Sequence, residues 1–341
     1  ITFVVGDHVK YVEIHHQLIA AIDRVCQVIS VPSIDEMHCE LNARDAAPEP
    51  ARRLAQAIKI SIYTQVGAYL RCSIGIAPNA YLAKTASDMQ KPDGLVYLAP
   101  SDLPQALFRL ELRDFCGIGP SMEKRLHAHG ITTTQQLCTA SKLELRRAWG
   151  SVQGEQMWAW LRGEEPYVKP TEQRSVGHSH VLAPEMRNDR DAHAVIHRML
   201  QKAAMRLRKM NFVSSRMSVF IKYVGEKHWQ SGGWSHEGRF NATQDSIELS
   251  QALDLLWAAR PQNAAKPMMV GMVLLELSAA SEQTLPLFAP HRSRAGLNAA
   301  LDTINKRYGK STIYLGEAHT AQDHAPMRIA FTRIPDVETE Q

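Results

Sequence analysis

The segment from Arg174 to Ser278 constrains the fold most, because its hydrophobic pattern switches repeatedly between the periods of strands and helices. The predicted elements, in the order strand, helix, strand, strand, helix, strand, cover 174–182, 189–210, 215–224, about 227–235, 244–259 and 268–278. This order is that of a split β-α-β unit. It predicts a four-stranded sheet with two helices on one face.

The first hundred residues combine helical and strand patterns. The predicted helices cover Tyr11–Ile29 and Ala51–Tyr63, and the predicted strands cover Ser33–Leu41 and Tyr69–Ile76. Asn79 is a good N-cap for a further helix that ends at Met89, before a Pro-Asp-Gly turn. These patterns are typical of a mixed α/β layer.

The remainder of the chain divides by composition. Residues 101–167 hold short helical patterns, which predict a small all-helical domain. The stretch Glu164–Gln173 is polar and contains Pro166 and Pro170, which is typical of a linker, and we place the linker at 168–173. After residue 281 the sequence has little periodicity beyond Leu297–Tyr308, so we expect an extended or partly disordered tail.

Composition excludes several classes of protein. No run approaches the roughly 18 apolar residues of a membrane span, and the start of the sequence has no signal-peptide pattern. The 5 cysteines form no C-x-x-C pair, which argues against a disulfide framework or a zinc site and favours a cytoplasmic protein. The 15 histidines form no cluster with metal-binding spacing, and His15, His16, His178 and His180 are interpreted as surface or strand positions.

The net charge of +4 is modest but unevenly distributed. Residues 171–280 hold 14 Lys and Arg against 10 Asp and Glu, whereas residues 1–100 hold 9 against 10. The positive excess therefore lies in the split β-α-β segment and favours an anionic polymer as its partner.

Two adjacent carboxylates, Asp35 and Glu36, follow Ser33 and Ile34. At a strand end or in a hairpin both can reach one divalent cation, and two-metal phosphoryl transfer uses such hard oxygen ligands. An isolated Asp-Glu pair is also typical of a solvated turn. The pair alone leaves both interpretations open.

Three further blocks follow downstream, namely Cys72–Asn79, Leu82–Met89 and Gln90–Gly94. Together with Ser-Ile-Asp-Glu, in this order and spacing, they resemble the palm signature of the Y-family (translesion) DNA polymerases. The resemblance implies that Asp35 and Glu36 bind catalytic Mg²⁺ and that Lys91 contacts the incoming deoxynucleoside triphosphate. It gives Lys84 a structural role or a weak phosphate contact.

The turn Gly117-Ile118-Gly119 and the residues after it resemble a helix-hairpin-helix. Glycines let a backbone approach phosphate closely, and N–H groups at a helix start bind it without reading sequence. A bare G-x-G is also a common structural turn. Because this turn occupies the place of the family's thumb, the resemblance implies that Gly117 and Gly119 contact DNA.

In the same family, the 174–280 segment corresponds to the little finger, whose sheet contacts the DNA backbone. The resemblance therefore implies DNA contacts from the exposed residues of strand 215–224, namely Arg216, Ser218 and Lys222. Trp229 and Trp234 are interpreted as packing residues.

The segment Gln283–Phe288 resembles a bacterial sliding-clamp-binding peptide, with Leu285, Leu287 and Phe288 as its apolar residues. The alternative is a strand that docks on its own domain. Segments 297–308 and 327–333 resemble the C-terminal extension of the error-prone subunit of bacterial polymerase V.

The resemblance implies an α+β multidomain fold. Its expected parts are a partial polymerase palm (1–100), a helix-hairpin-helix thumb (101–167), a linker (168–173), a split-βαβ little finger (174–280) and an extended C-terminal tail with the clamp motif (281–341). The family's palm begins with a strand that carries another metal-binding Asp, followed by a steric gate and a fingers domain. These features do not precede Ile1, so we expect no primer extension from the chain as given.

The function implied is translesion DNA synthesis in DNA repair and the SOS damage response. Its partners would be primer-template DNA, a deoxynucleoside triphosphate and the sliding clamp. The competing hypothesis is a non-catalytic, polymerase-derived scaffold that binds DNA and the clamp. Asp35 and Glu36 favour the enzyme, because a scaffold has no need of paired carboxylates.

Overall fold

The computed structural model describes residues 6–167, 174–225, 233–261, 265–283, 294–309 and 312–322. The described residues up to 167 form one compact unit, and those from 174 onwards form a second. In these ranges, every helix is too short or too polar to cross a membrane.

The described helices of the first unit are α1 (His8–Asp23), α2 (Pro48–Gln65), α3 (Ala80–Met89), α4 (Pro120–Ala128), α5 (Thr134–Thr139), α6 (Lys142–Trp149) and α7 (Gln153–Trp160). Its strands are β1 (Val28–Ser33), β2 (Glu36–Cys39), β3 (Ile74–Ile76) and β4 (Leu95–Tyr97). β1 and β2 form an antiparallel hairpin, whereas β3 and β4 pair in parallel. The unit is therefore a mixed α/β layer followed by short helices.

Two predicted elements of this unit are shorter in the structure. α1 ends earlier than predicted because the Asp23 carboxylate accepts the N–H of Val28 at 3.0 Å and turns the chain into β1. The strand predicted over 69–76 is limited to β3. The helix predicted after Asn79 is confirmed, since the Asn79 side chain accepts the N–H of Leu82 at 2.8 Å.

One hydrophobic core joins α3 to the short helices that follow it. Leu82 and Ala86 of α3 are fully buried in the same cluster as Leu126 of α4 and Leu145 of α6. Close packing of this kind holds a helix in one position. The core therefore fixes the position of α3 and of the polar residues on its opposite face.

The second unit contains β5 (Val176–Val181), α8 (Asp189–Lys209), β6 (Phe212–Tyr223), β7 (Trp234–Thr243), α9 (Ser246–Ala258), β8 (Pro267–Ala279) and α10 (Ala295–Tyr308). The strands form one antiparallel sheet in the order β5-β8-β6-β7. Met217, Val219 and Ile221 of β6 share one core with the buried sides of α8 and α9. This confirms the split β-α-β arrangement and the α+β fold class.

The second strand of the β6–β7 hairpin extends further along the chain than predicted. β7 covers Trp234–Thr243, whereas the prediction ended near residue 235, and residues 226–232 lie outside the described residues. Trp234 and Phe240 pack on the core, as expected for Trp234, but His236 and Gly238 lie between them on the same face. Without large apolar side chains at those two positions, the alternation is not visible in the sequence.

The tail was expected to be extended, but two described parts of it pack on the second unit. In α10, Asp302 accepts two hydrogen bonds of 2.7 Å from the guanidinium of Arg208. Asn298 is buried and donates to Asp245 at 2.8 Å. Ala321 belongs to the core of the unit. The prediction of an extended tail was therefore wrong for these residues, although the periodicity of 297–308 already indicated α10. The polar pairs that dock α10 join residues that are distant in the sequence.

Candidate active site and nucleic-acid interface

The carboxylate pair lies at the tip of the β1–β2 hairpin. One strand was predicted from Ser33 to Leu41, but the chain reverses at Ile34-Asp35 and Glu36 begins β2. The buried Ser33 hydroxyl donates to Asp35 Oδ1 at 2.6 Å, while Asp35 itself is exposed and Glu36 is half-buried. The reversal therefore places both carboxylates at one end of the hairpin.

A contact between His15 and the backbone of Ile34 holds this turn in place. Its imidazole is buried in α1, and its Nδ1 lies 2.6 Å from the carbonyl oxygen of Ile34. Burial lowers the pKa of His15, which favours the neutral ring with Nδ1–H donating to that carbonyl. The prediction of a surface or strand position for His15 was wrong, since His15 is buried on a helix. The burial of His15 could have been predicted from its position three residues after the buried Val12, on the same side of the helix.

Glu36 belongs to a chain of alternating charges. Lys84 Nζ lies 2.6 Å from Glu36 Oε1 and 3.2 Å from Asp88 Oδ2. Lys91 Nζ lies 2.6 Å from Asp88 Oδ1. These contacts link the hairpin tip to the lysine that the sequence assigned to triphosphate binding.

The pKa values of the central pair follow from these contacts. Burial alone would lower the pKa of Lys84, but its hydrogen bonds to Glu36 and Asp88 outweigh burial and raise that pKa. Burial alone would raise the pKa of Asp88, but its bonds to Lys91 and Lys84 lower it. Both groups are therefore charged near neutral pH, and the network stays intact. Asp88 was missed by the sequence analysis, although its i,i+4 spacing from Lys84 was a visible signal.

The turn that carries Lys91 is fixed by α2 and by a glycine. Lys59 Nζ donates to Asp93 Oδ1 at 2.6 Å, to the Asp93 carbonyl at 2.8 Å and to the Cys72 carbonyl at 2.7 Å. A Cβ at Gly94 would lie 1.7 Å from the Gln90 carbonyl oxygen, so only glycine fits there. The Pro-Asp-Gly turn therefore sets the position from which Lys91 extends.

The donor set of the hairpin tip fits Mg²⁺. Asp35 and Glu36 offer only carboxylate oxygens, the hard ligands that Mg²⁺ prefers. The Lys84 ammonium already lies against Glu36, which shows that a positive charge is favoured at this position. A divalent ion bound by Glu36 would compete with that ammonium.

The thumb turn presents backbone to solvent. Gly117 has a φ of +84°, and a Cβ at Gly117 or Gly119 would meet no atom within 4 Å. Gly119 is the N-cap of α4, with Pro120 as the first helical residue. Ile118 between the glycines is buried in the core and anchors the turn. The N-terminus of α4 can thus receive an anion close to the backbone.

Arg216, Ser218 and Lys222 alternate along β6 with the buried residues, so they lie on the sheet face away from α8 and α9. Arg216 is hydrogen-bonded to Glu237 and lies 3.4 Å from Glu276 Oε1. The predicted exposed face is therefore present. Arg216 on this face already has two carboxylate partners, Glu237 and Glu276.

Part of the predicted tail motif can be placed. Gln283 is exposed and donates to the carbonyl of Ala242 at the end of β7. The other named positions and segments lie outside the described residues, namely Leu285, Leu287, Phe288, Trp229, 168–173 and 327–333.

Three family profiles match the chain in order. The impB/mucB/samB family matches residues 1–88, the DNA polymerase-iota thumb domain matches 113–165, and the impB/mucB/samB C-terminal domain matches 173–287. Together they cover the carboxylate hairpin, the thumb turn and the split β-α-β unit.

Similar curated proteins include bacterial DNA polymerases IV. That of Bacillus cereus is 28% identical over 313 residues, which cover 90% of this chain and 74% of the relative. That of Moorella thermoacetica is 29% identical over 323 residues, which cover 92% of this chain and 77% of the relative.

A solved Y-family DNA polymerase chimera of Dbh with a Dpo4 segment has the same fold. It matches with a TM-score of 0.60 at 21% identity, over 80% of this chain and 78% of that chain. The fold, the order of the profiles and the palm motifs agree. This chain belongs to the Y-family of DNA polymerases, which are DNA-directed nucleotidyltransferases.

Proposed function

We propose that this protein is a translesion DNA polymerase of the cytoplasm that extends a primer opposite damaged template bases. The observation that carries the proposal is the hairpin tip, where Asp35 and Glu36 are adjacent and Lys84 and Asp88 connect Glu36 to Lys91. Cation-binding carboxylates and a phosphate-binding lysine are the parts that phosphoryl transfer requires.

Each residue of the tip has a role that follows from its contacts. Asp35 and Glu36 would hold Mg²⁺, which when bound neutralises phosphate charge and stabilises the attacking and leaving oxygens. Lys84 orients Glu36 through their 2.6 Å contact. The Lys91 side chain is 58% exposed, so it can exchange Asp88 for oxygens of the triphosphate. The primer 3′-hydroxyl would attack the α-phosphate, and pyrophosphate would leave.

DNA binding is assigned to the thumb turn and to the sheet face of the second unit. The N-terminus of α4 at Gly117 and Gly119 is suited to one backbone phosphate, and Arg216, Ser218 and Lys222 are suited to others. Contacts of this kind position DNA without reading sequence, and counterion release makes them sensitive to salt.

Gly119 allows a test of the thumb contact. Its backbone, with φ −85° and ψ −179°, is one that any residue adopts. We expect Gly119→Val to fold normally and to bind primer-template DNA about tenfold more weakly, because the branched side chain keeps phosphate from the helix start. Fluorescence anisotropy over a salt series measures this, with Gly67→Val as the matched control. Equal affinity of wild type and Gly119→Val would remove the thumb turn from the interface.

The carboxylates beside Arg216 predict an unusual gain of affinity. Glu276 contacts both Arg216 and Arg239, at 3.4 and 2.8 Å. We expect Glu276→Gln to raise the DNA affinity about threefold at low salt, because it removes a negative charge from this face and releases Arg239 for phosphate, while Arg216 keeps its partner Glu237. Glu185→Gln, an exposed position before α8, is the control. Equal affinity of wild type and Glu276→Gln would show that DNA does not use this face.

The clamp contact is proposed from the sequence of the tail. Gln283 would make the polar contacts, and Leu285, Leu287 and Phe288 would fill an apolar groove of a bacterial sliding clamp. Attachment to a clamp would keep a polymerase on its primer.

The second candidate function is a non-catalytic scaffold that binds DNA and the clamp. The thumb turn and the sheet face favour it equally, since neither needs the carboxylates. The Glu36–Lys84 contact favours the enzyme, because a structural hairpin gains little from a half-exposed ion pair. Primer extension by the product of the complete gene, with Mg²⁺ and an undamaged template, distinguishes the two functions.

A further inference from the structure

Two imidazoles and a carboxylate meet between α8 and α9 in the second unit, on the opposite side of the sheet from Arg216, Ser218 and Lys222. His193 Nε2 and His197 Nε2 lie 3.0 and 2.8 Å from Asp254 Oδ1. The two nitrogens are 3.2 Å apart. The three atoms therefore form a small triangle with all donor atoms facing one another.

The distances between these three donor atoms are close to the distances between neighbouring ligand atoms of a tetrahedral metal ion. With metal–nitrogen bonds of about 2.0–2.1 Å, neighbouring donors of a tetrahedral zinc centre are about 3.3 Å apart. His193 and His197 are four residues apart, so α8 presents both rings on one side. Small outward movements of these side chains would open the triangle to that size.

The surroundings of His197 are those of a metal ligand. Its ring is buried, and its Nδ1 lies 2.9 Å from the hydroxyl of the buried Ser250. In the tautomer that donates Nδ1–H to Ser250, the lone pair of Nε2 points at Asp254 and His193. Histidines that bind metals commonly donate their other N–H to such an oxygen.

His193 is suited to the same role. Its Nε2 lies against both Asp254 Oδ1 and His197 Nε2. The side chains of His193 and Asp254 are 29% and 46% exposed, so the triangle is open to solvent on one side. An ion can enter there and keep a water molecule as its fourth ligand.

We propose that His193, His197 and Asp254 form a binding site for one divalent transition-metal ion, with Zn²⁺ as the physiological type. Imidazole nitrogens select such ions over Mg²⁺, which separates this site from the carboxylate tip of the first unit. The bound ion ties α8 to α9 on the back of the sheet. The sequence alone indicates no metal-binding cluster among the histidines, because the third ligand, Asp254, lies on another helix.

Trp257 provides a local reporter for this site. Its ring centroid lies 5.0 Å from that of His193. We expect Co²⁺, added to the full chain in excess Mg²⁺, to quench part of the tryptophan fluorescence with a stoichiometry of one. The Trp257→Phe variant should lose this quenching. Equilibrium dialysis should still show that it binds one equivalent of Zn²⁺.

The ligand variants decide the proposal. His193→Ala and Asp254→Asn alter partly exposed side chains, and circular dichroism verifies that each variant is folded. We expect both to bind Zn²⁺ at least about a hundredfold more weakly, whereas His236→Ala, an exposed histidine of the same unit, binds as wild type does. Zn²⁺ should also raise the Tm of wild type but not of His193→Ala.

Two outcomes would overturn the site. Equal Zn²⁺ affinity in wild type and Asp254→Asn would place the ion elsewhere, for example on a free cysteine. If wild type binds no Zn²⁺, the triangle is a hydrogen-bonded His-Asp cluster, with a proton in place of the metal.

Discussion

Asp35→Ala and Glu36→Ala are each expected to lower the rate of primer extension by at least about a hundredfold, the scale of losing one electrostatic catalytic group. The reason is that the proposed function assigns to these two residues the cation that neutralises the reacting phosphates. Their neighbours keep them in place, since Ser33 bonds Asp35 at 2.6 Å and Lys84 bonds Glu36 at 2.6 Å. The assay uses the product of the complete gene, Mg²⁺ and an undamaged primer-template.

The control for this experiment is another acidic residue of the same hairpin. Glu40 is exposed after β2, and Glu40→Ala should extend primers at the wild-type rate. DNA affinity should be the same in all variants, because the assigned DNA contacts lie in the thumb turn and the sheet face. Near-normal rates in both Asp35→Ala and Glu36→Ala would remove the carboxylates from the site.

The second large effect concerns the clamp motif. The Leu287→Ala/Phe288→Ala double variant is expected to lose at least about a hundredfold in affinity for a bacterial sliding clamp. Burial of each of these side chains contributes about 1.5–3 kcal/mol, and every 1.4 kcal/mol is a factor of ten. Calorimetry with purified clamp measures the loss, and binding of the same variant to DNA should be unchanged.

Leu297→Ala is the matched control, since Leu297 is an apolar residue of the same C-terminal region and is 50% exposed on α10. If the double variant binds the clamp normally, the motif is not a clamp ligand. If it unfolds instead, Leu287 and Phe288 belong to a strand docked on their own domain.

The parts of the fold that the sequence predicted are those with strong local signals. Asn79 could be identified as a helix cap because an N-cap acts on residues only three positions away. The split β-α-β unit was recognised because α8 and the core side of β6 have long, regular apolar periods. The palm motifs were recognised because Asp35, Glu36 and Lys91 occur in a family-specific order.

The parts that were missed depend on contacts between distant residues. Glu36 and Lys84 are close only because the hairpin and α3 come together in the folded chain. The same is true of Asp302 and Arg208, which fix α10, and of Asp254 with its two histidines. The turn at Ile34-Asp35 was missed for another reason. A reversal of only two residues does not interrupt the alternation of apolar and polar residues that predicts a strand.

The most direct test of the proposed function is single-nucleotide incorporation opposite an abasic site by the product of the complete gene. The wild type is expected to add a nucleotide opposite the lesion with Mg²⁺ and to extend beyond it, and Asp35→Asn is expected to abolish both steps without loss of DNA binding. If wild type and Asp35→Asn bind the damaged template equally and neither adds a nucleotide to any template, the protein is a scaffold and not a translesion polymerase.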